Sequence, residues 1–111
     1  PLGNRPQPLP GKTALMHPDK VRREAVRTLT DLPNVGKATA ADLQRLGIHQ
    51  PQDLADCDAY TLYTELCRLD GVRHDPCVLD VLLSLVDFMQ GGAAQPWWAF
   101  TVERKARWPE L

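Results

Sequence analysis

Residues 32 to 48 read LPNVGKATAADLQRLGI, and the expectation for the whole chain grows from them. Pro33 presets a turn angle, Asn34 tolerates left-handed backbone, and Gly36 carries no side chain, so the segment suits a tight and bare turn. A short helix should follow from about Ala38 to Leu46, anchored by Leu43, Leu46 and Ile48 and capped at its C-terminus by Gly47. Ala38, Ala40 and Ala41 leave that helix thin on one face, open to close approach by a neighbour.

The start of such a helix has backbone N–H groups without partners and the positive end of the peptide dipoles, so an oxyanion fits there. Gly36 does not block it, and Lys37 adds a cation. This is the layout of a helix-hairpin-helix unit, in which hairpin amides hold a nucleic-acid phosphate.

The chain has 111 residues and a net charge of −1, which indicates one domain large enough to bury its own core. Charge is uneven along it. Residues 1–37 carry seven Lys or Arg against three acids, residues 38–90 three against nine, and the remainder three against two. Lys20, Arg22, Arg23, Arg27 and Lys37 thus gather beside the hairpin, where a phosphate would sit, while the acidic middle should repel DNA. The bland alternative for such a cluster is a solvated helix face. Cys57, Cys67 and Cys77 are odd in number and widely spaced, which fits reduced thiols. With no long apolar run and no leader pattern, the expectation is a soluble cytoplasmic protein without membrane contact.

Residues 1–16, with Pro6, Pro8 and Pro10 alternating, read as an extended Pro-rich arm. Residues 17–92 read as the helical domain. A first helix is expected from His17, with Val21, Ala25, Val26 and Leu29 on one apolar face, ending before Pro33. After the hairpin helix, a connector around Pro51 to Ala55 turns Leu54 inward. Asp58 caps a helix to about Arg68 that buries Leu62, Tyr63, Leu66 and Cys67. Asp75 and Pro76 open a further helix, Cys77 to Met89, whose polar residues are only Asp80, Ser84 and Asp87. A helix so apolar has to be surrounded, so it is the expected centre of the fold, ended by Gly91 and Gly92.

The hairpin pattern recurs about 37 residues later: Leu32, Val35, Gly36 and Ala40 match Leu69, Val72, Arg73 and Cys77. A pair of helix-hairpin-helix units is therefore expected. The second copy keeps Gly71 but has Arg73 and His74 where the first has Gly36 and Lys37; it either contacts phosphate through Arg73 or only completes the core.

Three stretches, LPNVGKATAADLQRLGI, DAYTLYTELCRLDGVRHDPCVLDV and PWWAFTVERK, resemble the small bacterial family labelled pathogenicity-locus or mitomycin resistance proteins. The resemblance implies an all-α fold, a compact paired helix-hairpin-helix (SAM-like) bundle of about five helices with an aromatic C-terminal tail. It implies hairpin amide donors at Asn34, Gly36, Ala38 and Thr39. In some members of the wider superfamily a monovalent cation, K+ or Na+, sits on hairpin carbonyls, which here would be those of Thr30, Leu32 and Val35; no other cofactor is expected. Asn34 departs from the glycine usual at its position.

Catalysis finds little support in the residues. Glycosylases with this motif use a lysine beyond the hairpin, and none occurs here between Lys37 and Lys105. His74 and Cys77 lack a second pair of ligands at zinc spacing, and no base is evident for Cys57 or Cys67. The tail, residues 93–111, holds Trp97, Trp98 and Trp108 among Phe100, Arg104, Lys105 and Arg107. Trp97, Trp98 and Phe100 are expected to cover the central helix and Trp108 to stay exposed; the rival uses are base stacking and a protein anchor. The expected function is non-catalytic and non-sequence-specific DNA binding. Weak phosphate contact would come through Asn34, Gly36, Lys37, Ala38 and Thr39 with Arg23 and Arg27, and a second hairpin at Gly71 and Arg73 is a further candidate. The process implied by the family label is DNA repair or mitomycin resistance. The alternative is a protein-interaction adaptor that kept the fold and engages its partner through the tail.

Overall fold

The computed structural model describes residues 17–111; the expected Pro-rich arm, residues 1–16, lies outside the described residues. The fold is all-α. Among the described residues four α-helices occur: α1 (Lys37–Arg45), α2 (Ala59–Asp70), α3 (Cys77–Met89) and α4 (Thr101–Arg107). A 3-10 turn, Pro51–Asp56, lies between α1 and α2, and another, Trp97–Phe100, between α3 and α4.

α3 is the axis of the molecule. Leu79, Leu82, Leu83, Leu85, Val86 and Phe88 are all buried on it, as its near-continuous apolar sequence requires. Around it pack α2, through Leu62, Tyr63 and Leu66, the Pro51–Asp56 turn, through Leu54, and the tail, through Phe100. The polar stripe of α3 is not a solvent face: Asp80 is completely buried and Ser84 nearly so.

Helix boundaries follow local chemistry. Asp58 accepts the Thr61 N–H at 2.9 Å as the N-cap of α2, and Gly71 closes that helix with φ 68°. α1 ends in a Schellman arrangement, in which Ile48 N–H reaches Leu43 O and Gly47 N–H reaches Gln44 O, with Gly47 at φ 87°. A Cβ at Gly92 would lie 2.0 Å from Asp87 Oδ2, so any larger residue there would have to displace the Asp87 carboxylate.

The expected first helix does not form. In its place are three separate 3-10 turns, Pro18–Lys20, Arg23–Ala25 and Leu29–Asp31. Between them Val21, Arg22, Val26 and Thr28 are extended, three of these being β-branched residues that favour that state. The Asp31 carboxylate takes the N–H groups of Arg27 and Thr28, both at 2.9 Å, which a continuous helix would direct to carbonyls. Leu29 is still buried and Val21 and Val26 are partly covered, so the apolar spacing marked core contact rather than helix. Ala25 is exposed.

Candidate nucleic-acid interface

The hairpin is held from beneath. Leu32, Pro33 and Val35 are essentially inaccessible, and Asn34, between them, has φ 68°, the left-handed conformation that asparagine tolerates. Its side chain points inward. Nδ2 donates to Gln95 O at 2.8 Å and to Ser84 Oγ at 3.2 Å, so one amide joins the hairpin, the central helix and the start of the tail. Asn34 is only 5% exposed, and Gly36 is buried as well. The Asn34 side chain thus serves the fold, a role distinct from the one expected of its backbone amide.

Above this support, α1 begins. Gly36 is its N-cap and supplies no side-chain oxygen, and the first turn contains no acid. The N–H groups of Lys37, Ala38 and Thr39 precede any intrahelical acceptor and so face outward at the positive end of the helix. Lys37 and Ala38 are exposed, and Thr39 is half-exposed. The alanine face expected to admit a neighbouring helix is open instead, with Ala38 and Ala41 exposed and Ala40 partly covered.

The basic residues divide. Arg23 donates from Nη1 to Phe88 O at 2.6 Å and from Nη2 to Gly92 O, with its guanidinium carbon 4.0 Å from the centre of the Phe88 ring. It caps the C-terminus of α3, where free carbonyls and the negative end of the dipole attract a cation. That is a correction to its expected place among the phosphate contacts. Arg27 turns back on the neighbouring Glu24 and Val26 carbonyls, and Arg22 pairs with Glu24 at 3.5 Å. Lys37 has no ion-pair partner among the described residues and stands at the first position of α1. Hydrogen bonds from the Thr28 and Arg27 amides hold the Asp31 carboxyl below its ordinary pKa, so it is an anion near neutral pH.

The second hairpin differs in kind. Gly71 has the same φ, 68°, as Asn34, its counterpart 37 residues earlier, but takes it as the C-cap of α2. The rest diverges: Val72 is 57% exposed where Val35 is buried, and α3 starts six residues after Gly71 whereas α1 starts three after Asn34. Pro76 lacks an N–H, and Asp75 Oδ1 already accepts the Cys77 N–H at 2.8 Å. Asp70 binds His74 Nε2 at 2.6 Å and also Arg45. Carboxylates thus occupy the places an anion would take, and Arg73 is exposed beside them.

Two tail features escaped sequence reasoning. Arg104 is buried and pairs with Asp80, whose second oxygen accepts the Thr101 hydroxyl at 2.7 Å. The available signal was an aspartate inside an apolar helix, which demands a partner. Trp108 is not the exposed tryptophan: it stacks on Tyr60 with centroids 5.0 Å apart, while Trp98 is 62% exposed.

Thiol chemistry has little footing, because burial raises the pKa of both Cys57 and Cys77. Burial also pushes the Tyr63 phenol up to about 12, and its hydroxyl donates to His74 O at 2.5 Å. Among the described residues no group of three His, Cys, Asp or Glu is arranged to hold a metal, and no helix is long and apolar enough to cross a membrane.

No solved structure matches the chain. It is 44% identical over 77 residues to the mitomycin resistance protein McrB of Streptomyces lavendulae, a match covering 69% of this chain and 73% of that protein. The family model described as pathogenicity locus, Cdd1, matches residues 22–106, which include the hairpin, the central helix and the Asp80–Arg104 pair. The chain belongs to this pathogenicity-locus family.

Proposed function

We propose that the protein is a non-catalytic module that binds the DNA backbone without sequence preference, holding a phosphate on the Lys37, Ala38 and Thr39 amides. The observation that carries this reading is the start of α1: a glycine cap, no acid in the first turn, and exposed Lys37. The Asn34 side chain ties the turn to Ser84 and Gln95, which favours a turn formed before binding. Exposed Arg27 is the proposed second cation, and Arg23 acts through the fold.

A K+ or Na+ ion on the Thr30, Leu32 and Val35 carbonyls belongs to the same proposal. The Leu32 carbonyl accepts the Val35 N–H at 3.4 Å, a long bond that leaves its second lone pair for an ion. The helix-hairpin-helix assignment is likewise a reading of the turn and α1, since the preceding arm is made of 3-10 turns. The Streptomyces relative is a mitomycin resistance protein by name. We carry that process to this chain as action at damaged or crosslinked DNA.

Neutralising two to four phosphates should give a slope of log affinity against log salt of about −2 to −4. Titration of a short duplex at several salt concentrations tests this, comparing wild type with Gly36→Glu after circular dichroism confirms that the variant folds. A carboxylate at the cap should remove most binding. Absence of binding by the wild type, or equal binding by a folded variant, rejects this use of the hairpin.

A further inference from the structure

Trp98 is 62% exposed, unusual for the largest side chain, which proteins normally cover. It is nevertheless held. Trp97 packs edge-on against its ring at 5.5 Å and 83°, and buried Phe100 fixes the backbone two residues on. Val102, 80% exposed, and Lys105 three residues beyond it share a face of α4, which directly follows the turn that carries Trp98. Glu103 is turned to Arg107 at 2.8 Å, which leaves this face with a positive charge.

The face lies close to the hairpin. Gln95 O accepts the Asn34 side-chain amide, and Trp98 follows Gln95 by three residues, at most about 11 Å of extended chain. The α1 amides begin three residues after Asn34. The two surfaces therefore fall within the reach of a strand of roughly four nucleotides, the lower end of single-strand site sizes.

We infer that Trp98 is a stacking platform for an unpaired nucleobase of the strand whose phosphate α1 holds, with Lys105 contacting the adjoining backbone. This rests on the hairpin reading above. A protein partner fits less well: Trp98 and Val102 are two large apolar groups flanked by a lysine, far from the roughly 800 Å² each side of a stable protein contact covers. A single indole matches a single base, and bases inside a duplex are already stacked. The platform accordingly favours single-stranded, frayed or distorted DNA over intact duplex.

The test compares the full chain with Trp98→Ala, Trp98→Phe and Gly36→Glu, using a labelled oligothymidylate and a labelled blunt duplex of equal length in anisotropy titrations. Trp98→Ala should weaken strand binding by at least about five-fold and change duplex binding far less, and Trp98→Phe should recover most of the loss. Gly36→Glu, checked for folding by circular dichroism because Gly36 is buried, should weaken both, and so should Lys37→Glu at the exposed neighbouring position. Equal strand affinity for wild type and Trp98→Ala overturns the platform and leaves the face to a protein partner, while the hairpin reading survives if Gly36→Glu still weakens the duplex. Strand binding that depends on Trp98 but not Gly36 keeps base stacking at Trp98 and overturns both the hairpin reading and the shared strand. Binding to neither probe overturns both.

Discussion

Arg104 Nε donates to Asp80 Oδ1 at 2.9 Å inside the protein, where the aspartate side chain is fully buried and the arginine side chain 7% exposed. The pair fastens the tail helix α4 to the central helix α3, and Thr101 completes the shell around the carboxylate. Burial of charge is tolerable here because both carboxylate oxygens accept hydrogen bonds and, among the described residues, no fully buried side-chain nitrogen or oxygen lacks a partner.

Removing one partner should therefore cost much more than removing both. Asp80→Ala strands the Arg104 guanidinium and is expected to destabilise by about 3–5 kcal/mol in urea unfolding. Asp80→Leu combined with Arg104→Met should recover most of that loss. Equal destabilisation by the single and double changes would show that packing, not charge pairing, holds α4.

Asn34 unites two demands that different residues meet separately: φ of 68° and a side-chain amide for Ser84 and Gln95. Asn34→Gly keeps the backbone and loses the clamp; Asn34→Ala loses the clamp and adds about 1–2 kcal/mol of left-handed strain. Thermal unfolding should rank wild type above Gly and Gly above Ala. Alanine as stable as glycine would mean that the turn relaxes to ordinary backbone angles.

Arg23 and Lys37 look alike in sequence and are separated by the structure. Arg23→Ala should lower stability, since it uncaps Phe88 O and Gly92 O, and leave the salt slope of DNA binding unchanged. Lys37→Ala should leave stability nearly unchanged and reduce the slope by about one. Parallel urea unfolding and salt titrations of both variants check the division; a reduced slope for Arg23→Ala would return it to the phosphate contacts.

The contrast shows what was legible in the chain. α3 was readable to its ends because apolar density, the Asp75–Pro76 start and the Gly91–Gly92 stop all agree, and the left-handed turn at Asn34 followed from residue chemistry alone. The arm before it was misread because Val21, Val26 and Leu29 have helical spacing, yet β-branching and the Asp31 carboxylate broke the helix into 3-10 turns. The site residues were legible as a turn, but the destinations of Arg23 and Asn34 lie 65 and 61 residues away, at Phe88 and Gln95. Local pattern carries no record of such partners. Asp80 and Arg104, 24 residues apart, were hidden from each other in the same way.

Acid should loosen the turns before it disrupts the core. Amide hydrogen bonds lower the pKa of Asp31 and Asp53, and Arg45 with His74 lowers that of Asp70. Each folded value lies below the unfolded value of about 3.9, so the stabilisation is full above it and disappears as pH falls through the folded values. The melting temperature should begin to fall below about pH 5 and keep falling as pH drops through the folded values, and fall less in Asp53→Asn, which keeps an acceptor but does not titrate. An identical decline in the variant would assign the acid sensitivity to other carboxylates.

Phosphate capture at the start of α1 is the central claim, and the amides themselves report it. In a ¹H–¹⁵N correlation titration of the full chain with a short DNA duplex, the Lys37, Ala38 and Thr39 resonances should move together and saturate, while Cys77 and Val78 at the start of α3 stay still because Asp75 and Pro76 guard that turn. Saturating shifts confined to the second hairpin, or a spectrum unchanged at the first turn of α1, would contradict it.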